Sequence, residues 1–194
     1  MILKKDYNKL LNGMKITTTN LLDSFVIEVD KFEDDRGFFM ESYTSSKFTG
    51  VGLKYNFVQD NHSKSTKGVL RGLHYQMKHV QGKLVRCVSG SVYDVIVDLR
   101  KSSKTFGEHF GIVLDRPELQ LWVPPGFAHG FYVKSDEAEL LYKATDYYCP
   151  EYDRTLLWND VDLNIDWNVD GDPILSEKDK VGKTFKDCDK YEYE

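Results

Sequence analysis

The chain has 194 residues, 41% of them hydrophobic and 29% charged, which excludes a disordered chain and suits one sizeable packed domain. Its formal net charge of −5, with no long basic run, argues against a protein that lives on nucleic-acid backbone, although a few local Lys and Arg can still dominate one cleft for an anionic small ligand. No apolar run reaches the length of a membrane span.

In chain order, "MILKKDYNKLLNG" (residues 1–13) lacks a continuous apolar stretch and a small-residue cleavage site. It reads as an added arm or an alternative start before Met14, not as a secretory signal, and residues 14–194 are expected to form a single domain. Short apolar-alternating runs then recur, separated by Gly, Asp, Asn and Ser: "SFVIEVDKF", "RGFFMESY", "NFVQDNH", "GVLRGLHYQ", "KLVRCVSG", "SVYDVIVDLR", "EHFGIVL", "LQLWVPP", "AHGFYVKS" and "AELLYKATDYY". In "VYDVIVDL", Tyr93, Val95, Val97 and Leu99 share one strand face, while Asp94 and Asp98 lie on the other. "SGS" at 89–91 reads as a hairpin turn. Helical signals are confined to "TSSKFTGVG", with a Ser/Thr start and a glycine stop, and to "SEKDKVGKT", with Ser176 as cap. The pattern predicts an all-β sandwich or barrel, with an acidic tail from about residue 160 wrapped around it.

The strand "VLRGLHYQ" (69–76) raises the chemical question, because it sets an imidazole among apolar residues. Strict alternation places Arg71, Leu73 and Tyr75 on one face, and Leu70, Gly72, His74 and Gln76 on the other. The chain has five histidines, and context singles out His74 and His129. In "PPGFAHGF", Pro124, Gly126 and His129 match PxGxxH, the second half-motif of a cupin. The first half of a metal cupin needs an HxH pair, and Gln76 stands where the second His would be. With two imidazoles left for a site that needs three or four ligands, no bound metal is expected. His74 suits proton transfer instead, as a neutral base best held by a carboxylate that spacing alone cannot identify. Arg36, Arg71 and Lys83 each lie beside a glycine in or next to a strand, where they suit phosphate oxygens or, for a lysine, an enolate oxygen. A tyrosine of "LLYKATDYY" (Tyr142, Tyr147 or Tyr148) facing such a histidine could return a proton from the other side. The three cysteines, Cys87, Cys149 and Cys188, form no CxxC pair and suit a reduced, cytoplasmic setting.

The segments "DDRGFFMESY", "FVQDNHSKSTKGVLRGLHYQ", "QGKLVRCVSGSVYDVIVDLR", "TFGEHFGIVL", "LWVPPGFAHGF", "LYKATDYY" and "LLWND" together resemble the dTDP-4-dehydrorhamnose 3,5-epimerases, a cupin-like family of sugar-nucleotide epimerases. The resemblance implies a β jelly roll with a few short helices, a homodimer, no metal or organic cofactor, and dTDP-4-keto-6-deoxy-glucose as substrate. It makes His74 the base, Asp179 its orienting carboxylate, Lys83 the enolate-stabilising lysine and Tyr142 the proton donor. His129, Arg36, Glu41, Gln59, Asn61, Arg71, Lys178 and Tyr148 become substrate contacts. Asp153 stands where many members carry a glutamate, a shorter side chain at a nucleoside contact. Sibling activities of related folds, a mono-epimerase acting at C3 or C5 alone or an epimerase of a GDP-linked sugar, are the alternatives.

Overall fold

A computed structural model describes residues 9–11 and 13–192. Its strands are β1 (Lys9–Leu11), β2 (Met14–Thr18), β3 (Phe25–Val29), β4 (Lys31–Asp34), β5 (Gly37–Met40), β6 (Gln59–Thr66), β7 (Leu70–Gln76), β8 (Lys83–Ser89), β9 (Val92–Asp98), β10 (His109–Leu114), β11 (Leu119–Val123), β12 (Phe127–Val133), β13 (Glu137–Ala144) and β14 (Asp153–Thr155). Two short helices, α1 (Ser45–Gly50) and α2 (Glu177–Lys180), and a 3₁₀ turn at Pro150–Tyr152 complete the elements.

A seven-stranded sheet, ordered β1-β2-β3-β11-β8-β13-β6, faces a five-stranded sheet, ordered β10-β9-β12-β7-β14, and β4 with β5 forms a separate hairpin. This is the cupin-like β-sandwich expected from the sequence. Of the N-terminal arm, residues 9–11 pair antiparallel with β2 and extend the seven-stranded sheet; residues 1–8 and 12 lie outside the described residues.

Alternation sorts the side chains into three apolar layers. Inward residues such as Val85, Val92, Ile96, Leu121, Phe127 and Leu140 fill the space between the sheets. Tyr93, Val95, Val97 and Leu99 take the opposite face of β9, as their period-two spacing predicts, and pack under Leu163, Trp167, Cys188 and Tyr191 of the tail. Phe48 and Leu53, on and after α1, cover Leu84, Ile27 and Trp122 on the outside of the seven-stranded sheet. The two helix predictions hold, and Ser176 caps α2 as expected, its hydroxyl accepting from Asp179 N–H.

Two local expectations fail. The turn at 89–91 is not a hairpin, because β8 pairs with β11 and β13 while β9 pairs with β10 and β12. It carries the chain from one sheet to the other. The second failure lies in β7. His129 pairs with His74 and Phe131 with Arg71, so three residue steps on β7 span two on β12. This is a bulge, and it resets the alternation. Leu70, Leu73 and Tyr75 therefore pack together in the layer under the tail. Arg71 no longer shares their face. Its guanidinium donates to Ser65 Oγ (3.1 Å) and Lys64 O on β6, across the cavity that His74 faces.

Gly72, at the bulge, has φ +116, and a Cβ there would lie 2.6 Å from Gly130 Cα and 2.7 Å from His129 O. Only glycine lets β7 and β12 approach this closely. Gly72→Ala should therefore destabilise the protein by about 3 kcal/mol. In a thermal melt this should appear as a midpoint lowered by roughly 6–12 °C.

Candidate active site

The inner faces of the two sheets bring polar groups together at one end of the sandwich. His74 comes from β7. Its Nε2–H donates to Asp179 Oδ1 at 2.5 Å, which leaves the other ring nitrogen free as an acceptor. Asp179 is 2% exposed and is held in turn by Ser176, whose hydroxyl donates to Oδ2 at 2.7 Å. The helix cap thus also aims the carboxylate. Burial would raise the Asp179 carboxyl, but hydrogen bonds from His74 and Ser176 outweigh it and hold the group below 3.8. For His74, burial comes first and lowers the imidazole from 6.5; the cations Lys178 and Lys83 add to this, and the Asp179 bond opposes it. The ring is therefore neutral and basic at neutral pH.

Lys83 opens β8 and Tyr142 lies on β13, both in the opposite sheet. The Lys83 ammonium sits 5.8 Å from the centre of the Tyr142 ring. Burial pulls Lys83 down to about 8, against the pull of Asp153 and Asp94. Burial also raises the Tyr142 phenol above 10, with Asp153 adding to the effect and Arg71 opposing it, so its proton stays on. A neutral base on one sheet thus faces a protonated acid and an ammonium on the other.

His129 lies in the inward row of β12, directly paired with His74. Its Nε2 is 2.9 and 3.0 Å from the two oxygens of Asp94 on β9. Asp94 is fully buried, and sequence reasoning missed it. The signal was present: a carboxylate between Val92 and Ile96 on the inward face of β9 calls for a partner. Among the described residues no group of three or more His, Cys, Asp or Glu is arranged to hold a metal. Gln76, the residue that breaks the HxH pattern, has a structural task. Its amide donates to His79 O and Tyr147 O and accepts from Cys149 N–H, which fixes the loops at the rim.

The remaining predicted contacts divide. Asn61 pairs with Tyr142 across β6 and β13 and accepts from Gln59 Nε2, while its own Nδ2 is buried with no protein acceptor among the described residues. A ligand oxygen would satisfy that donor. Gln59 Oε1 accepts from Tyr148 N–H. Asp153 Oδ2 takes the Lys178 ammonium and, at 3.3 Å, the Tyr148 hydroxyl. Arg36 and Glu41 do not join this cluster. Arg36, its side chain 90% exposed at the tip of the β4–β5 hairpin, pairs with Asp34, and Glu41 is held by Thr44 and Lys47.

Comparison with known proteins places the chain among named relatives. The family profile described as dTDP-4-dehydrorhamnose 3,5-epimerase matches residues 18–187. The dTDP-4-dehydrorhamnose 3,5-epimerase of Pseudomonas aeruginosa is 52% identical over 91% of this chain and 98% of its own length. That of Shigella flexneri is 54% identical over the same shares. The crystal structure of the Legionella pneumophila dTDP-6-deoxy-D-glucose-3,5-epimerase, in complex with dTDP-4-keto-L-rhamnose, superposes with a TM-score of 0.91 at 44% identity, covering 93% of this chain and 99% of that one. A sandwich whose facing sheets carry a carboxylate-held histidine, a lysine and a tyrosine, and which matches these proteins over nearly its whole length, belongs to the dTDP-4-dehydrorhamnose 3,5-epimerase family.

Proposed function

We propose that the chain epimerises dTDP-4-keto-6-deoxy-glucose at C3 and C5, in deoxysugar (rhamnose) biosynthesis, with His74 as base and Tyr142 as acid. The observation that carries this reading is the placement of the His74–Asp179 pair and of Tyr142 on opposite sheets, with Lys83 beside the tyrosine. The C4 ketone makes the neighbouring C–H bonds acidic. His74 takes a proton from one face of the ring and becomes an imidazolium that Asp179 stabilises. The electron pair moves to the C4 oxygen, where the Lys83 ammonium compensates the enolate charge. Tyr142 returns a proton to the carbon from the other face. Each turnover leaves a protonated histidine and a phenolate, and solvent exchange restores both. No redox change occurs, and in this reading His74, Lys83 and Tyr142 supply the proton transfers and the charge compensation themselves.

In this reading Arg71, Gln59 and Asn61 meet the nucleotide diphosphate, Lys178 and His129 add further substrate contacts, and Tyr148 and Asp153 meet the nucleoside. Arg36 and Glu41 reach a nucleotide only if a second copy supplies them. The hairpin that carries Arg36 also exposes Phe32, Phe38 and Phe39, which suits a cytoplasmic homodimer that buries them. The decisive assay incubates the enzyme and substrate in deuterated water and follows C3 and C5 by NMR. Deuterium entering both positions supports the proposal; exchange at one carbon alone indicates a mono-epimerase, and none at either refutes it.

The two charge states fix the pH profile. The base must be neutral, and its proton affinity is below the usual 6.5, so activity should fall on the acid side with a midpoint below pH 6.5. The lysine must be charged, so activity should fall on the alkaline side around pH 8. A bell in kcat/KM with these limbs is expected. Lys83→Arg, which cannot lose its charge in this range, should remove the alkaline limb from whatever activity it retains.

A further inference from the structure

The segment that carries Asp179 is held by backbone bonds on both sides. Before α2, Ile174 N–H donates to Gly68 O (2.8 Å) and Ile174 O accepts from Leu70 N–H (3.0 Å), which stitches the chain to the start of β7. After α2, Lys183 N–H donates to Thr155 O (2.9 Å) and Lys183 O accepts from Leu157 N–H (2.8 Å), at and beyond the end of β14. Strands β7 and β14 are neighbours, and Thr155 pairs with His74. The backbone of α2 is thus seated beside the imidazole, and the freedom left to Asp179 is that of its own side chain. One hydroxyl removes it. Ser176 Oγ accepts from Asp179 N–H (3.2 Å) and donates to Asp179 Oδ2 (2.7 Å), while Oδ1 of the same carboxylate lies 2.5 Å from His74 Nε2.

We propose that Ser176 is a positioning residue of the reaction, the third member of a Ser176–Asp179–His74 chain that fixes the imidazole in the tautomer and orientation the base needs. A helix cap needs only an acceptor oxygen, and the lone pairs of Ser176 meet that need. The hydroxyl proton is left over, and it goes to the carboxylate. Gripped at Oδ2 and through its own N–H, Asp179 can offer Oδ1 in one direction only. The ring nitrogen that meets Oδ1 carries the proton, which leaves the lone pair on Nδ1. In the epimerase reading Nδ1 is then the atom that takes the proton from carbon. The Ser176 bond also favours the charged carboxylate, and at 2% exposure of Asp179 solvent cannot take its place. Capping and catalysis thus draw on different atoms of one side chain, the oxygen lone pairs for the first and the proton for the second.

This inference rests on the epimerase reading for its rate assay but has a readout of its own. Ser176→Gly removes the hydroxyl at a position where glycine costs a helix cap little. Its kcat should fall about tenfold, with KM and the thermal midpoint little changed. Ser176→Thr, which keeps both the acceptor and the donor, should return the rate to near that of the wild type. ¹⁵N NMR of the imidazoles, with His74 assigned by its absence from His74→Ala, should show Nε2–H alone in the wild type and the threonine variant. The glycine variant should show a mixture of Nε2–H and Nδ1–H. Should the glycine variant fail to fold, Ser176→Ala against Ser176→Thr makes the same comparison. Full wild-type kcat in the glycine variant, a loss confined to KM, or an unchanged His74 tautomer overturns the role of Ser176. If the wild type fails to convert the substrate, the epimerase reading is what has failed, and the tautomer comparison still decides the inference.

Discussion

His74→Ala should lower kcat by roughly 10²–10⁴-fold, with KM little changed. The substitution removes the more accessible of the two inward imidazoles: the His74 side chain is 30% exposed, that of His129 only 7%. It also leaves Asp179 buried with one partner fewer, although the Ser176 hydroxyl remains to hold its carboxylate. A thermal melt run alongside separates the two effects. The expected result is a folded protein that binds nucleotide and exchanges no substrate hydrogen. Retention of more than a tenth of wild-type kcat would remove His74 from the proton-transfer step.

Tyr142→Phe should cost nearly as much in product formation, roughly 10²–10³-fold, by a different route. Among the described residues the phenol hydroxyl makes no hydrogen bond to protein, so the phenylalanine ring can occupy the same place without orphaning a buried group. The base and the lysine are untouched. The variant should still form the enolate and return hydrogen from the histidine side, so that deuterium enters with retention of configuration faster than epimer appears. Measuring exchange and epimer formation in one NMR time course tests this. Equal losses in both would show that the tyrosine serves binding and not protonation.

Much of this site is legible in the sequence because its parts are local. The cap Ser176 announces α2, whereas Asp179 as the partner of His74, 105 residues away, is implied only by the family resemblance. The period-two pattern of "VYDVIVDL" orients β9 correctly, since nothing interrupts its ladder with β10 and β12. Strand β7 is where local reading breaks down. Its bulge arises from the close approach of Gly72 to Gly130, residues far apart in the chain, and no pattern within eight residues reveals it. That single offset decides whether Arg71 shares the cavity with His74. Likewise the 89–91 turn has the composition of a hairpin, but which sheet each flanking strand joins depends on partners elsewhere. Arg36 and Glu41 carry the right residue types for nucleotide contacts, yet each pairs locally, Arg36 with Asp34 and Glu41 with Thr44 and Lys47, away from the His74 cluster.

The proposed chemistry requires a sugar ring held between an imidazole on one sheet and a phenol on the other. A crystal structure of the enzyme with a bound dTDP-4-keto-6-deoxy-sugar tests it most directly. C3 and C5 should lie within reach of His74 on one face and of Tyr142 on the other, with the C4 oxygen toward the Lys83 ammonium. A sugar bound outside the sandwich, or both side chains on the same face of the ring, would contradict it.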